Sequence, residues 1–185
     1  MTGLIILAIV VAVIGYAIFL YNDLVSKRQL KEEGWSGIDV QLKRRTDLIP
    51  NLMETVQGYM GHERDTLEAV TKARADATAG ANASPAERSA LEGALSGALG
   101  RLLAIAEAYP DLKANTTFLE FQDALRGVED EIQLARRYYN GAVRNLNTAV
   151  ESFPQNVIAN AFKFEKDEYF ELENEADRAV PSVKF

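Results

Sequence analysis

Residues 4–20, LIILAIVVAVIGYAIFL, form an unbroken run without a charge, and nothing in it is more polar than Tyr16. Wound as a helix at 1.5 Å per residue the run measures about 25 Å, which crosses the hydrocarbon core of a bilayer with modest thinning. Three uses of such a run compete: a membrane span, a cleaved signal peptide and a buried core helix. A signal peptide places a positive side chain ahead of its apolar stretch and a small-x-small cleavage site behind it. Here Met1, Thr2 and Gly3 precede and Tyr21, Asn22 and Asp23 follow, so the segment is read as a retained single-pass transmembrane helix within residues 1–24. The flanking basic residues Lys27, Arg28 and Lys31, with Lys43, Arg44 and Arg45 further along, all lie on its carboxyl side. By the positive-inside rule the amino terminus is expected outside and residues 25–185 in the cytoplasm. Setting topology is the ordinary job of these charges. Lying against anionic lipid, at about 1 kcal/mol each, is the other.

Beyond the anchor, a chain of 185 residues has length for one domain with a real core. The absence of cysteine excludes a disulfide framework, a thiol nucleophile, an iron–sulfur cluster and a cysteine-rich zinc site, and a single histidine leaves a multi-histidine metal site without ligands. A net charge of −7 argues against a nucleic-acid partner.

From residue 30 the periodicity is helical. Ile38, Leu42, Ile49, Met53, Val56, Met60, Leu67, Val70 and Ala77 recur at steps of three, four and seven, with Lys43, Arg44, Glu54, Arg64 and Asp65 off the stripe. Pro50 interrupts it, predicting a kink at 48–50 or two helices meeting there. Residues 78–84, TAGANAS, are a connection. Ser84, Pro85 and Glu87 then supply an N-cap hydroxyl, a first-turn proline and the reciprocal acid of a capping box. Leu91, Leu95, Leu99, Leu102 and Ala106 form the stripe of the helix so started. Gly93, Gly97 and Gly100 within it each cost about 1 kcal/mol relative to alanine, which predicts close approach of a neighbouring backbone. Asn115, or Thr117 with Glu120, caps a last long helix whose stripe runs from Phe118 through Tyr139 to Val150. A short helix is expected near 156–162. These elements make an all-α chain: one transmembrane helix, then an antiparallel bundle of three long helices with a short carboxyl-terminal helix over 25–164, then an acidic, aromatic tail over 165–185. Phe162 and Phe164 are expected to pack into the bundle. Tyr169, Phe170 and Phe185 are left as candidates for contact with another subunit or partner, together with Gly93, Gly97 and Gly100.

No catalytic constellation emerges. His62 and Glu63 open HERDT, which lacks the second histidine of a zincin helix, and Tyr59 stands where a Glu-x-x-His pair would need its acid. Glu129, Asp130 and Glu131 are consecutive, splay around a helix and are expected to form a solvated face. No catalytic, cofactor-binding or metal residue is assigned, and the chain is expected to be no enzyme.

Five blocks carry a resemblance: WSGIDVQLKRRTDLIPNLMETVQGYMGHE from Trp35, AEAYPDLKAN from Ala106, ARRYYNGAVRNLNTAV from Ala135, FPQNVIA from Phe153 and PSVKF from Pro181. In these the chain resembles the LemA family over almost its whole length. The resemblance implies a soluble antiparallel helical bundle behind one membrane helix in the bacterial inner membrane, with no catalytic residues to carry over. It also implies a link to envelope processes, to membrane metalloproteases of the HtpX type and to magnetosome formation. The function expected is a membrane-anchored scaffold or assembly protein, homo-oligomeric through its helices in a coiled-coil-like manner. The alternatives are an adaptor or regulatory subunit of such a protease, and a membrane-shaping protein. Charge is expected to be dipolar, with six basic and three acidic residues over 27–45 against seven acids and one lysine over 165–177.

Overall fold

The computed structural model describes residues 1–171, and every regular element among them is helical. Helix α1, Thr2–Gln57, runs 56 residues without interruption. Its apolar run is long enough to cross a membrane, and residues 4–16 are exposed in the chain itself. Pro50 lies inside this helix, so two helices do not meet there.

The stripe expected to run on to Ala77 is instead cut at 58–63. Gly58 and Gly61 weaken the helix there, and the chain turns through bonds from the amide of Met60 to the carbonyl of Val56 (2.9 Å) and from Glu63 to Met60 (3.0 Å). Helix α2, Arg64–Ala79, follows, and a 3₁₀ turn at Gly80–Asn82 lies in the expected connection. Helix α3, Pro85–Ala106, starts on the capping box read from sequence: the Ser84 hydroxyl accepts from the Glu87 amide at 3.3 Å, and the Glu87 carboxylate accepts from the Ser84 amide at 3.2 Å. A single turn, α4 at Pro110–Lys113, leads to α5, Thr116–Glu151, where the Asn115 side chain caps the Phe118 amide at 3.0 Å. Helix α6, Gln155–Ala161, is the short helix expected near 156–162.

Two compact units share α1 and α5. In the unit built on Ile38–Leu134, long-range bonds set the direction of every helix. Arg45 of α1 meets Glu92 and Ser96 of α3 and Glu129 of α5, and Thr46 meets Arg74 of α2. At the other end Glu63 meets Tyr109 and Tyr59 meets Asn115. Rising numbers on α1 therefore accompany falling numbers on α2, rising on α3 and falling on α5, an up-down-up-down arrangement. It has four helices where three were expected, since the first stripe is divided. Ile49, Val56, Met60, Val70, Leu95 and Phe118 lie in its buried core.

In the unit formed by Met1–Gly37 and Ala135–Tyr169, α5 runs back along α1. Gly34 lies against Tyr139, and Leu24 shares a buried cluster with Ala149, Ala159 and Phe164. After α6, Lys163 takes a left-handed conformation at φ 57°, which lets the Phe164 amide reach the Ala159 carbonyl at 2.9 Å and closes the helix end. The chain then runs alongside α1. Phe164 is buried as expected, but Phe162 is 60% exposed, its ring meeting Tyr21 at 4.8 Å between centroids.

Candidate functional site

The most unusual chemistry of the described residues is a charged cluster built around buried arginine and glutamate side chains. Arg45 is 0% exposed, and its guanidinium pairs with the buried carboxylate of Glu92, donates to Glu129 Oε1 at 2.8 Å and to Ser96 Oγ at 2.7 Å, and reaches the Glu92 carbonyl at 3.3 Å. One side chain of α1 thus clamps α3 and α5. On the same face of α3 the buried Arg88 pairs with Asp39 of α1 and donates to the Ala81 carbonyl at 3.1 Å, and the buried Ser89 hydroxyl donates to the Glu171 carbonyl. Burying an arginine is costly unless carboxylates and further acceptors surround it, and here they do. The Nε of Arg45 and the Oε1 of Gln41 are nonetheless buried without a hydrogen-bond partner among the described residues.

Two of these residues correct expectations drawn from sequence. Arg45, grouped with Lys43 and Arg44 as a charge near the membrane, is core, whereas Lys43 is exposed and pairs locally with Asp47 at 3.0 Å. Glu129, expected on a solvated face with Asp130 and Glu131, turns inward to Arg45. A signal was present. Arg45 falls three residues after Leu42 and four before Ile49, squarely on the α1 stripe, and Glu92 sits three before Leu95 on that of α3. Opposite charges on the apolar stripes of two helices are a pattern that single-helix reading passes over.

The basic residues beside the apolar run are engaged within the chain. Lys27 pairs with Asp23, Arg28 lies over the Phe164 ring at 5.1 Å from its centroid, and Lys31 pairs with Asp167 at 2.8 Å. Asp167 is held in turn by Asn147, which accepts from its amide at 2.8 Å and donates to its carbonyl at 3.0 Å. The opposite charges expected at separate ends of the chain therefore meet in one unit, at least for Lys31 and Asp167. Lys166 pairs with Glu151 at 2.8 Å, and that hydrogen bond and charge raise its ammonium above the ordinary value. Tyr139 donates to the Glu168 carbonyl at 2.9 Å and packs on Trp35 at 5.2 Å between ring centroids. Burial, then the charges of Asp167 and Glu168, push its phenol up to about 12. The phenol of Tyr109 is also raised, chiefly because it donates to the Glu63 carboxylate at 3.0 Å.

The candidate interface residues do not converge on one site. A Cβ at Gly93, Gly97 or Gly100 would meet nothing within 4 Å, so these glycines bring no helix of their own chain close. Tyr169 is exposed and Phe170 is fully buried, while Phe185 lies outside the described residues. His62 is exposed, and no group of three acidic or histidine side chains among the described residues is placed to hold a metal ion. A shallow groove of about 180 Å³ beside α2 and α3, lined by Asp65, Thr66, Ala69, Ala98 and Arg101, is smaller than a typical small-molecule site.

Comparison with known proteins agrees with the blocks read from sequence. Magnetosome proteins MamQ 1 and MamQ 2 of Paramagnetospirillum magneticum are each 25% identical over 196 residues, which cover 92% of this chain and 72% of the relative. Protein LemA of Metamycoplasma hominis is 30% identical over 157 residues, covering 79% of this chain and 68% of that protein. The LemA family profile matches residues 34–185, and the chain belongs to the LemA family.

Proposed function

We propose that this chain is a membrane-anchored, non-catalytic scaffold of the bacterial envelope that self-associates through its helices. The observation that carries the proposal is the continuity of α1: the exposed apolar run and the first helix of the folded body are one uninterrupted element, which supports anchoring of the chain at a bilayer. The buried Arg45 cluster supports it, because a paired charge network at the meeting of three helices favours one packing over its alternatives. Relatives named as magnetosome proteins fit a role in building a membrane-associated structure. The position of Lys27, Arg28 and Lys31 after the apolar run supports a reading with the body on the cytoplasmic side of the inner membrane.

The test is the particle that the full-length chain forms when extracted in detergent with its amino-terminal helix intact. A discrete symmetric oligomer is expected by light scattering and electron microscopy. A monomer at every concentration, joined by a reproducible one-to-one crosslink to a membrane metalloprotease in intact membranes, replaces the scaffold with a regulatory subunit.

A further inference from the structure

The apolar run of α1 ends at Leu20, and the folded body begins at that same residue. Leu20 is 6% exposed, while residues 4–16 have no cover from the chain. Gly34 opposes Tyr139 and Leu24 opposes Ala149, so each step forward along α1 is matched by one step back along α5. Continued, that register brings the chain to the level of Leu20 near residue 153. Helix α6 then lies beside the next turn of α1: Gln155 donates to the Asp23 carboxylate, Phe162 meets Tyr21, and Ile158 and Ala159 pack with Leu24 and Val25.

Three large apolar side chains at this end are left uncovered. Phe153 is 82% exposed, Val157 57% and Phe162 60%. Phe153 lies in the turn that precedes α6; on the helix itself Val157, Asn160 and Ala161 are exposed, while Ala159 is buried and Ile158 packs beside it. A lone exposed apolar residue is ordinary on a soluble surface, but three together at the depth where α1 leaves its apolar run mark an interaction surface. Two acids at this end carry counter-ions, Asp23 in Lys27 and Glu151 in Lys166, while Glu165 is exposed. Exposed Lys163 follows Phe162, suited to reach headgroups while the ring goes deeper.

We propose that α6 and its flanking turns are a second membrane contact, with Phe153, Val157 and Phe162 seated at the headgroup–acyl boundary of the leaflet from which α1 emerges. The proposal rests on residues 4–20 spanning the bilayer. A span alone leaves the protein free to tilt and rotate about it; a second contact at the boundary fixes both for the unit that carries it.

Bromine-labelled lipids test this with the full-length chain in liposomes brominated on the acyl chains. Trp35, fifteen residues beyond Leu20 on α1 and so about 22 Å along the helix, is the internal reference. Phe153→Trp and Phe162→Trp each add an emission expected to fall at least twofold against unlabelled lipid, as does Val11→Trp in the span, while wild-type emission is little changed. If Val11→Trp is quenched and the other two are not, the second contact is overturned and the anchor stands. If none of the three is quenched, both fall. Quenching of Trp35 as strong as that of the added tryptophans also overturns the proposal, because the contact would not be confined to α6.

Discussion

Arg74 on α2 completes the hydrogen bond that Pro50 removes from α1. Proline has no amide hydrogen, so the carbonyl four residues earlier, that of Thr46, has no partner within the helix. Arg74 Nε donates to that oxygen at 3.1 Å. A long helix can thereby keep an internal proline without leaving the half-buried Thr46 carbonyl unsatisfied. Replacing Arg74 with methionine keeps the aliphatic stem and removes the donor, with an expected loss of about 1–3 kcal/mol. In a Pro50→Ala background the helix makes its own bond, and the same change is expected to cost less than half as much. A double-mutant cycle on thermal unfolding in detergent reads the coupling. Equal costs in the two backgrounds would show that Arg74 does not serve the Thr46 carbonyl.

The pair formed by Arg45 and Glu92 predicts an asymmetry between single and double replacement. Arg45→Met leaves the Glu92 carboxylate buried without its counter-ion and is expected to cost about 3–5 kcal/mol. Arg45→Met with Glu92→Met removes both charges and fills the space with side chains of comparable length, so the double variant is expected to be more stable than the single one. Glu129, a third exposed, can turn to water in either case. Urea unfolding of the three proteins checks the order. A single variant as stable as wild type would show that the cluster contributes nothing to the fold.

Local chemistry was legible in the sequence, and pairing between helices was not. The Ser84–Glu87 box, the cap at Asn115 and the end of α5 before Pro154 each depend on residues within a turn of one another, so spacing alone reveals them. Ile49, Leu95 and Tyr139 are buried as their stripe positions imply. The break at 58–63 was missed because Met60 keeps the apolar period through the turn and is itself buried, which masked the two glycines around it. The inward turn of Arg45 and Glu129 could not be read from either helix alone. Their partners lie 47 and 84 positions away from Arg45, and burial of a charge is settled only by what faces it.

Gly34 and Gly97 lie in helices yet are expected to respond oppositely to a side chain. A Cβ at Gly34 would stand 3.0 Å from the Tyr139 Cα and 3.1 Å from the Tyr138 ring, so α1 and α5 approach each other through the missing methyl group. Gly34→Val is expected to cost about 1–3 kcal/mol through overpacking. Gly97 has open space around it, and Gly97→Ala is expected to gain about 0.5–1 kcal/mol of helix stability. Both follow from melting temperature in detergent. Sizing the Gly97→Ala and Gly97→Leu proteins carries the question further. If α3 is a self-association face, leucine but not alanine lowers the oligomer fraction at fixed concentration.

The phenol of Tyr139 gives the fold an alkaline limit. Its pKa in the folded chain is about 12 against an ordinary 10.0, raised by burial and then by the neighbouring charges of Asp167 and Glu168. A raised value means that the folded chain holds the neutral phenol while the unfolded chain releases its proton earlier. The stabilising contribution is therefore fully present below pH 10 and is lost as pH rises from 10 through 12, at about 2–3 kcal/mol in total. Tyr139→Phe removes both the titration and the hydrogen bond to the Glu168 carbonyl, which is worth about 0.5–1.5 kcal/mol net. The variant is expected to be less stable than wild type at pH 8, and the difference is expected to shrink and then reverse by pH 12. Unfolding midpoints of the two proteins across pH 8–12 measure it, with groups common to both cancelling in the difference. A constant difference over that range would mean that the phenol titrates alike in the folded and unfolded chains, and that the carboxyl-terminal strand of backbone at 167–168 does not close over it.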